Sequence, residues 1–219
     1  MSSDGPPGTA VFDVLGTLIE LEGLRPALIE TGAPPHTLEL WFVESLRDYF
    51  SISHSGSYAR LKDVLRAGLS RHGVRDRDSV MEAFGNLDPV EGAGDACRLL
   101  DDEGFRMIAL TNGGEDLTRS LLTNAGIIEH FDRILSCDSI GVSKPHPSVY
   151  AWAREESAEG KVWMVASHAW DVAGAGRAGL NTVLVYPEPE QFPEVFPAPD
   201  VIAPDLVTAA RSILQRNAV

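Results

Sequence analysis

The stretch VFDVLGT, residues 11–17, places a single carboxylate, Asp13, within a short apolar run and follows it with Gly16 and Thr17. The run Ala10–Val14 has the length and composition of a buried strand. Four further runs of this kind lie at residues 106–110, 134–137, 162–166 and 182–186. Helical patterns separate the last four runs, and such alternation is typical of a parallel sheet with helices on both faces. The sequence therefore predicts an α/β fold with a doubly wound parallel sheet.

Residues 22–88 interrupt this alternation, because they contain two amphipathic helical patterns and no strand pattern. The buried face of the first pattern is marked by Trp41, Ser45 and Tyr49, and that of the second by Tyr58, Leu61, Leu65 and Leu69. We predict that residues 22–88 form a helical cap. Residues 9–21 and 89–219 then form the catalytic core.

Polar side chains follow four of the five predicted strands, at the point where each strand ends. They are Asp13 and Thr17, then Thr111 and Asn112, then Ser143 and Lys144, and finally Ser167, His168 and Asp171. Each group alone is typical of a turn or a helix cap. Ligands of open parallel sheets bind at the carboxyl ends of the strands, so four groups at one edge predict an active site there.

The chemistry of these groups suits an anionic substrate. Asp13 has the character of a nucleophile, and a nearby Lys144 would keep its carboxylate ionised. The TNGG turn, residues 111–114, leads into a helix whose first N–H groups favour an anion. Asp171 supplies a second carboxylate that would orient Lys144, place a water molecule or hold a cation. We therefore expect a locally positive site.

The composition of the whole chain limits its partners. Eighteen Lys and Arg residues against 32 Asp and Glu residues give a net charge of −14, without the basic clusters of a nucleic-acid binder. No apolar run is long enough for a membrane span, and the first nine residues lack a signal-peptide pattern. Cys97 and Cys137 are predicted to be free thiols. We expect a cytoplasmic protein that acts on a small anionic molecule, with no nucleic-acid or membrane partner.

The motifs at the four strand ends resemble those of the haloacid dehalogenase superfamily: D-x-x-G-T, T-N-G, S-K-P and a final aspartate. The segments FDVLGTL, SKPHPSVY and SHAWDVAGA are most similar to the type II L-2-haloacid dehalogenase branch. The resemblance covers nearly the whole chain. It implies a Rossmann-like core with a helical cap, carbon–halide hydrolysis without a cofactor or metal, and a homodimer as a possible assembly.

Two positions favour the dehalogenase branch over the phosphatases of the superfamily. The phosphatases carry an aspartate two residues after the nucleophile, where this chain has Leu15, and leucine cannot transfer a proton. The Mg²⁺-binding phosphatases also place an aspartate four residues before the final one, where this chain has Ser167. Departure of a halide from carbon needs neither a proton donor nor a metal.

The resemblance implies a reaction in two steps, with Asp13, Thr17, Lys144 and Asp171 as the catalytic residues. Asp13 attacks the halogen-bearing carbon and forms an ester, and water near Lys144, His168 and Asp171 then hydrolyses that ester. The residues that the resemblance assigns to substrate binding are Leu15, Phe42, Thr111, Asn112, Tyr150, Ser167 and His168.

The cap departs from the branch pattern at the position that receives the halide. An arginine directly follows a tryptophan there, whereas in this chain Phe42 follows Trp41. The candidates in the cap to substitute for it are Arg25, Arg47 or Arg60, and the sequence alone does not place them.

Three further departures lie at the strand ends. His168 stands where the branch has asparagine, Ala166 where it has serine, and Leu15 where tyrosine is common. Two alternatives therefore stay open. One is a Mg²⁺-dependent small-molecule phosphatase that uses Asp13 and Asp171, and the other is a protein that kept the scaffold with weakened catalysis.

The segment GAGRAG, residues 174–179, matches the dinucleotide-binding pattern G-x-G-x-x-G. A dinucleotide site needs these glycines in the turn after the strand. Here the helix already begins near Asp171, so we predict that the glycines allow close packing instead.

Overall fold

The computed structural model describes residues 6–186, 188 and 193–217, and contains a six-stranded parallel sheet. The strands are β1 (Gly8–Phe12), β2 (Arg106–Thr111), β3 (Arg133–Ser136), β4 (Lys161–Ala166), β5 (Asn181–Val185) and β6 (Val201–Ala203). Their order across the sheet is β3-β2-β1-β4-β5-β6. The strand order runs one way from β1 to β3 and the other way from β4 to β6, so it reverses between β1 and β4. The predicted doubly wound sheet is confirmed.

The five predicted strands exist, with bounds that differ by one or two residues, and a sixth was missed. Strand β1 begins at Gly8 because Thr9 already pairs with Arg106 and Val162 on either side. Strand β6 has only three residues, which is too short for an alternation pattern to be visible in the sequence. The predicted loop at residues 186–199 contains no helix or strand at its described positions, and residues 187 and 189–192 lie outside them.

The described residues form nine α-helices, of which the last five cover the two faces of the sheet. They are α1 (Leu24–Glu30), α2 (Thr37–His54), α3 (Leu61–Gly68), α4 (Arg77–Ala83), α5 (Ala93–Asp102), α6 (Glu115–Asn124), α7 (Pro147–Glu155), α8 (Ala169–Arg177) and α9 (Leu206–Asn217). Side chains of β1 alternate between two hydrophobic clusters, with Phe12 on the face of α5 and α9 and Val11 on the face of α7 and α8. This alternation explains why the strands are apolar throughout.

The inserted cap consists of helices only, since residues 22–88 contain α1–α4 and no strand. Trp41, Ser45 and Tyr49 are buried along α2, as predicted. The Trp41 indole N–H donates to the Leu65 carbonyl oxygen at 2.9 Å, which joins α2 to α3. Tyr58 was expected on the same helix as Leu65 but lies before the first residue of α3.

Cys97 and Cys137 are both buried free thiols, as predicted. Among the described residues, no helix combines the length and the apolar character that crossing a bilayer requires.

Candidate active site

The predicted site lies where the strand order reverses, at the carboxyl end of β1. Asp13 directly follows β1, and its backbone N–H donates to the Val165 carbonyl oxygen of β4 at 3.0 Å. Strands β2 and β4 flank β1. Thr111, the last residue of β2, and Ser167, the first residue after β4, therefore lie at the same edge of the sheet as Asp13. This is the crevice in which doubly wound sheets bind ligands.

Lys144 is held between two carboxylates. Its Nζ lies 2.7 Å from Asp13 Oδ1 and 2.6 Å from Asp171 Oδ2, and it donates to the Leu110 carbonyl oxygen at 3.0 Å. The Lys144 backbone N–H donates to Asn112 Oδ1 at 2.9 Å, which fixes the lysine loop to the end of β2. Lys144 and Asp171 are fully buried, so these ion pairs are shielded from water.

Burial and charge pairing act in opposite directions on the three ionisable groups. Burial by itself would raise the pKa of Asp13, but Lys144 and His168 together hold that pKa well below its usual range. Burial opposes the charge of Lys144, yet Asp13 and Asp171 raise the Lys144 pKa above its ordinary value. For Asp171 burial prevails over Lys144, and its pKa is raised. The arrangement therefore presents an ionised Asp13 beside a permanent cation.

The second oxygen of Asp13 has different partners. The Thr17 hydroxyl donates to Asp13 Oδ2 at 2.7 Å, and Thr17 Oγ1 in turn accepts the Ser167 backbone N–H at 3.0 Å. His168 Nδ1 lies 3.1 Å from the same Oδ2. Since His168 lines the adjacent cavity and Lys144 does not, Oδ2 is the oxygen that faces the cavity.

A cavity of about 20 Å³ lies between Asp13 and the cap. It is lined by Asp13, Leu15, Phe42, Leu46, Leu61, Thr111, Asn112, Gly113, His168 and Trp170. This volume holds about one water molecule, so a substrate enters only if the cap side chains separate from the core.

Two residues assigned to substrate binding lie elsewhere. The Tyr150 hydroxyl donates to Asp171 Oδ1 at 2.6 Å, and Tyr150 is fully buried behind the cavity. Burial and the Asp171 charge raise the Tyr150 pKa well above its ordinary value, so this hydroxyl remains a donor. Ser167 contacts the site through its backbone N–H to Thr17.

The arginines expected to replace the missing cap arginine do not line the cavity. Arg25 contacts Glu22 and Glu39, and Arg47 pairs with Asp48 on the exterior of the cap. Arg60 is exposed, directly before the first residue of α3. None of the described residues that form the cavity wall is an arginine.

Trp170 is the main cavity residue that the sequence prediction missed. Its ring stacks on His168, with centroids 5.2 Å apart and planes inclined by 28°, and it meets Phe50 of α2 at 4.9 Å. Its place between His168 and Asp171 in the chain could have indicated this position. Leu46 and Leu61 were also missed, because a leucine on an apolar helix face does not differ in sequence from a core leucine.

Of the three glycines in the G-x-G-x-x-G segment, Gly174 serves close packing as predicted, whereas a Cβ on Gly176 would make an ordinary contact and one on Gly179 would meet no atom of the described residues within 4 Å. Gly174 lies inside α8, where a Cβ would come within 2.6 Å of Tyr150 Cε2 and 2.9 Å of Pro145 Cβ. Gly174 therefore makes room for the tyrosine that holds Asp171.

Replacing Gly174 with alanine is expected to lower the free energy of unfolding by about 1–3 kcal/mol, because the added methyl group overpacks the site. It should also move the Tyr150 hydroxyl away from Asp171. Gly176→Ala is the matched control, since its Cβ would meet Thr182 Cγ2 at an ordinary 3.6 Å. Denaturant unfolding of both variants measures the difference, and equal stability would contradict this account of Gly174.

The fold and this site define a capped, doubly wound α/β enzyme, and comparisons identify its family. A family model for haloacid dehalogenase-like hydrolases matches residues 8–179. (S)-2-haloacid dehalogenase 4A of Burkholderia cepacia is 30% identical over 188 residues, which cover 80% of this chain and 81% of that protein. (S)-2-haloacid dehalogenase 1 of Pseudomonas sp. strain CBS-3 is 29% identical over 192 residues, which cover 82% of this chain and 85% of that protein.

A solved structure shows the same fold. L-2-haloacid dehalogenase from Xanthobacter autotrophicus, with chloropropionic acid covalently bound, matches with a TM-score of 0.83 at 23% identity, over 94% of this chain and 98% of that one. The chain belongs to the haloacid dehalogenase-like hydrolase family.

Proposed function

We propose that this protein hydrolyses the carbon–halogen bond of a small 2-haloacid, with Asp13 as the nucleophile. The curated relatives at 29–30% identity are (S)-2-haloacid dehalogenases. A further solved structure, 26% identical with a TM-score of 0.79, is a dehalogenase with an intermediate complex. Support from this chain itself comes from an ionised carboxylate, Asp13, that lines the cavity.

In the first step, Asp13 Oδ2 attacks the carbon that bears the halogen. The new C–O bond forms as the carbon–halogen bond breaks, and the halide leaves with the bonding electron pair. Lys144 remains on Oδ1, so this oxygen becomes the carbonyl oxygen of the ester. The low Asp13 pKa keeps the nucleophile ionised without a base.

In the second step, water attacks Cγ of the Asp13 ester. Negative charge then develops on Oδ1, where the Lys144 ammonium at 2.7 Å stabilises it. Collapse breaks the bond between Cγ and Oδ2, which releases a 2-hydroxyacid and restores Asp13. Thr111 and Asn112 line the cavity just before α6, and we assign the substrate carboxylate to this side because a helix N-terminus favours an anion.

One observation carries the choice of a halide over the alcohol of a phosphate ester as leaving group: Leu15 lines the cavity two residues after Asp13. An alcohol that leaves a phosphate ester needs a proton, and leucine cannot supply one. A halide leaves without protonation.

The residues also do not fit a Mg²⁺ site. Lys144 Nζ already lies between the Asp13 and Asp171 carboxylates, and Ser167 supplies no carboxylate. Within the described part of the chain, no group of three or more His, Cys, Asp or Glu side chains is arranged to hold a metal ion. Our proposal therefore includes no metal step.

The direct test is halide release from a panel of 2-haloacids, measured with and without EDTA. We expect chloride release that EDTA does not change. Mg²⁺-dependent phosphate release from p-nitrophenyl phosphate would instead support the phosphatase alternative. Inactivity in both assays with a normal unfolding transition would support a scaffold with weakened catalysis.

Phe42 is predicted to limit the size of the substrate, since it lines the small cavity from the cap side. Replacing Phe42 with alanine should raise the kcat/KM of a longer 2-haloacid relative to that of chloroacetate by about tenfold or more. Val43→Ala is the control, because Val43 lies on the same helix but is 63% exposed. An unchanged preference in Phe42→Ala would contradict this role.

A further inference from the structure

His168 lies beside the reacting oxygen of Asp13, yet neither of the two steps described above gives it a chemical role. It lines the cavity, and its Nδ1 is 3.1 Å from Oδ2 of Asp13, the oxygen that forms the ester. Its side chain is 25% exposed, so solvent reaches it. Asp13 and His168 are the two acid–base side chains among the described residues that line the cavity.

The backbone around His168 is shaped to hold its ring at this position. Gly16 has a φ of +82°, and a Cβ on Gly16 would lie 2.9 Å from His168 Cε1. Trp170 stacks on the imidazole, with ring centroids 5.2 Å apart. The ring therefore contacts both the Gly16 turn and Trp170 while its Nδ1 lies beside Asp13.

Asp171, the other group near the reaction, is poorly placed to act as a base. Tyr150 donates to its Oδ1 and Lys144 to its Oδ2, both at 2.6 Å. It is fully buried and does not line the cavity. Both oxygens are thus committed to hydrogen bonds inside the core, and we assign Asp171 to the positioning of Lys144.

We propose that His168 is the general base that activates water for hydrolysis of the Asp13 ester, an inference that rests on the function proposed above. In the resting protein, ionised Asp13 accepts a hydrogen bond at Oδ2, which keeps the imidazole proton on Nδ1. Esterification removes that negative charge, so the ring can carry its proton on Nε2 and leave the Nδ1 lone pair free.

The proton balance of the step is complete. Water attacks Cγ as Nδ1 takes one of its protons, and the negative charge passes to Oδ1 beside Lys144. When the bond between Cγ and Oδ2 breaks, the departing alkoxide takes that proton from the imidazolium. The products are the 2-hydroxyacid and a protonated Asp13, with His168 neutral again. The Asp13 carboxyl then loses the second proton of the water to solvent, which restores the ionised nucleophile, so each turnover releases one halide and one proton.

The test separates ester formation from ester hydrolysis. With 2-chloropropionate, His168→Gln should release one chloride per protein rapidly and then turn over about 10²–10⁴-fold more slowly than the unchanged protein. Intact-mass and peptide mass spectrometry should find a 1-carboxyethyl ester on Asp13, in which Oδ2 is joined to C2 of the former substrate, that persists in the variant. His130→Gln is the matched control, since His130 also contacts a carboxylate, Asp101, but outside the cavity.

Each outcome decides between the two proposals. Normal turnover of His168→Gln, or slow chloride release without a trapped ester, would overturn the role of His168 as the base while leaving the dehalogenase function standing. Absence of halide release from the unchanged protein with every haloacid tested would overturn both.

Discussion

Asp13→Asn is expected to reduce halide release by about 10⁴-fold or more, the scale seen when a covalent nucleophile is removed from other enzymes. Asparagine preserves the shape of the side chain, and its single oxygen can still accept from Lys144, while its NH2 group cannot accept the hydrogen bond that the Thr17 hydroxyl donates to Oδ2. Its neutral amide cannot displace a halide. The ionised state of Asp13, which Lys144 maintains, is therefore the property that this substitution removes.

The measurement is chloride release under single-turnover and steady-state conditions, with mass spectrometry for a bound ester. The variant should still fold, because Asp171 remains as a counter-charge for Lys144 at 2.6 Å. Asp200→Asn is the control, since Asp200 binds Thr182 at the opposite end of β5 from the site and should retain full activity. Activity retained in Asp13→Asn, or an ester on another residue, would refute the nucleophile assignment.

The contacts of Asp13 could be predicted from sequence because of the sheet topology. Asp13 and Lys144 are separated by 131 positions in the chain, yet both follow parallel strands. The carboxyl ends of such strands lie at one edge, so strand prediction alone was enough to bring the two side chains together. No knowledge of side-chain packing was needed for this step.

The cavity wall could not be predicted in the same way. Leu46 and Leu61 line the cavity beside Asp13 from the cap, and their contribution depends on how the cap packs on the core. The distinction between Tyr150 and Trp170 has a similar origin. Tyr150 was a predicted substrate-binding residue, and Trp170 was close to predicted site residues in sequence, but only the packing of α7 against α8 turns Tyr150 toward Asp171 and away from the cavity.

Lys144→Met is expected to lower the free energy of unfolding by about 3–5 kcal/mol, the usual cost of breaking a buried ion pair by removing one partner. Methionine fills much of the same volume. The loss therefore comes from two carboxylates, Asp13 and Asp171, that are left close together without a cation. Urea denaturation of the variant measures this loss, and Lys62→Met is the control because Lys62 is exposed on α3.

Lys144 and Asp13 contribute to stability with opposite dependence on pH. In the unchanged protein, the raised Lys144 pKa means that its contribution is complete below its ordinary pKa of 10.5 and is lost as the pH rises through the folded value. The lowered Asp13 pKa acts in the opposite direction. Its contribution is present above its ordinary pKa of 3.8 and is lost as the pH falls through the folded value.

In Lys144→Met the carboxylates lose their cation, so burial and mutual repulsion raise their folded pKa values. A group with a raised folded pKa destabilises the protein while it is ionised. The free energy of unfolding of the variant should therefore fall furthest below that of the unchanged protein at neutral pH. This difference should shrink as the pH falls and the carboxylates take up protons. A deficit that stayed constant over this range would mean that the stem of Lys144 stabilises the core by packing and that its charge contributes little.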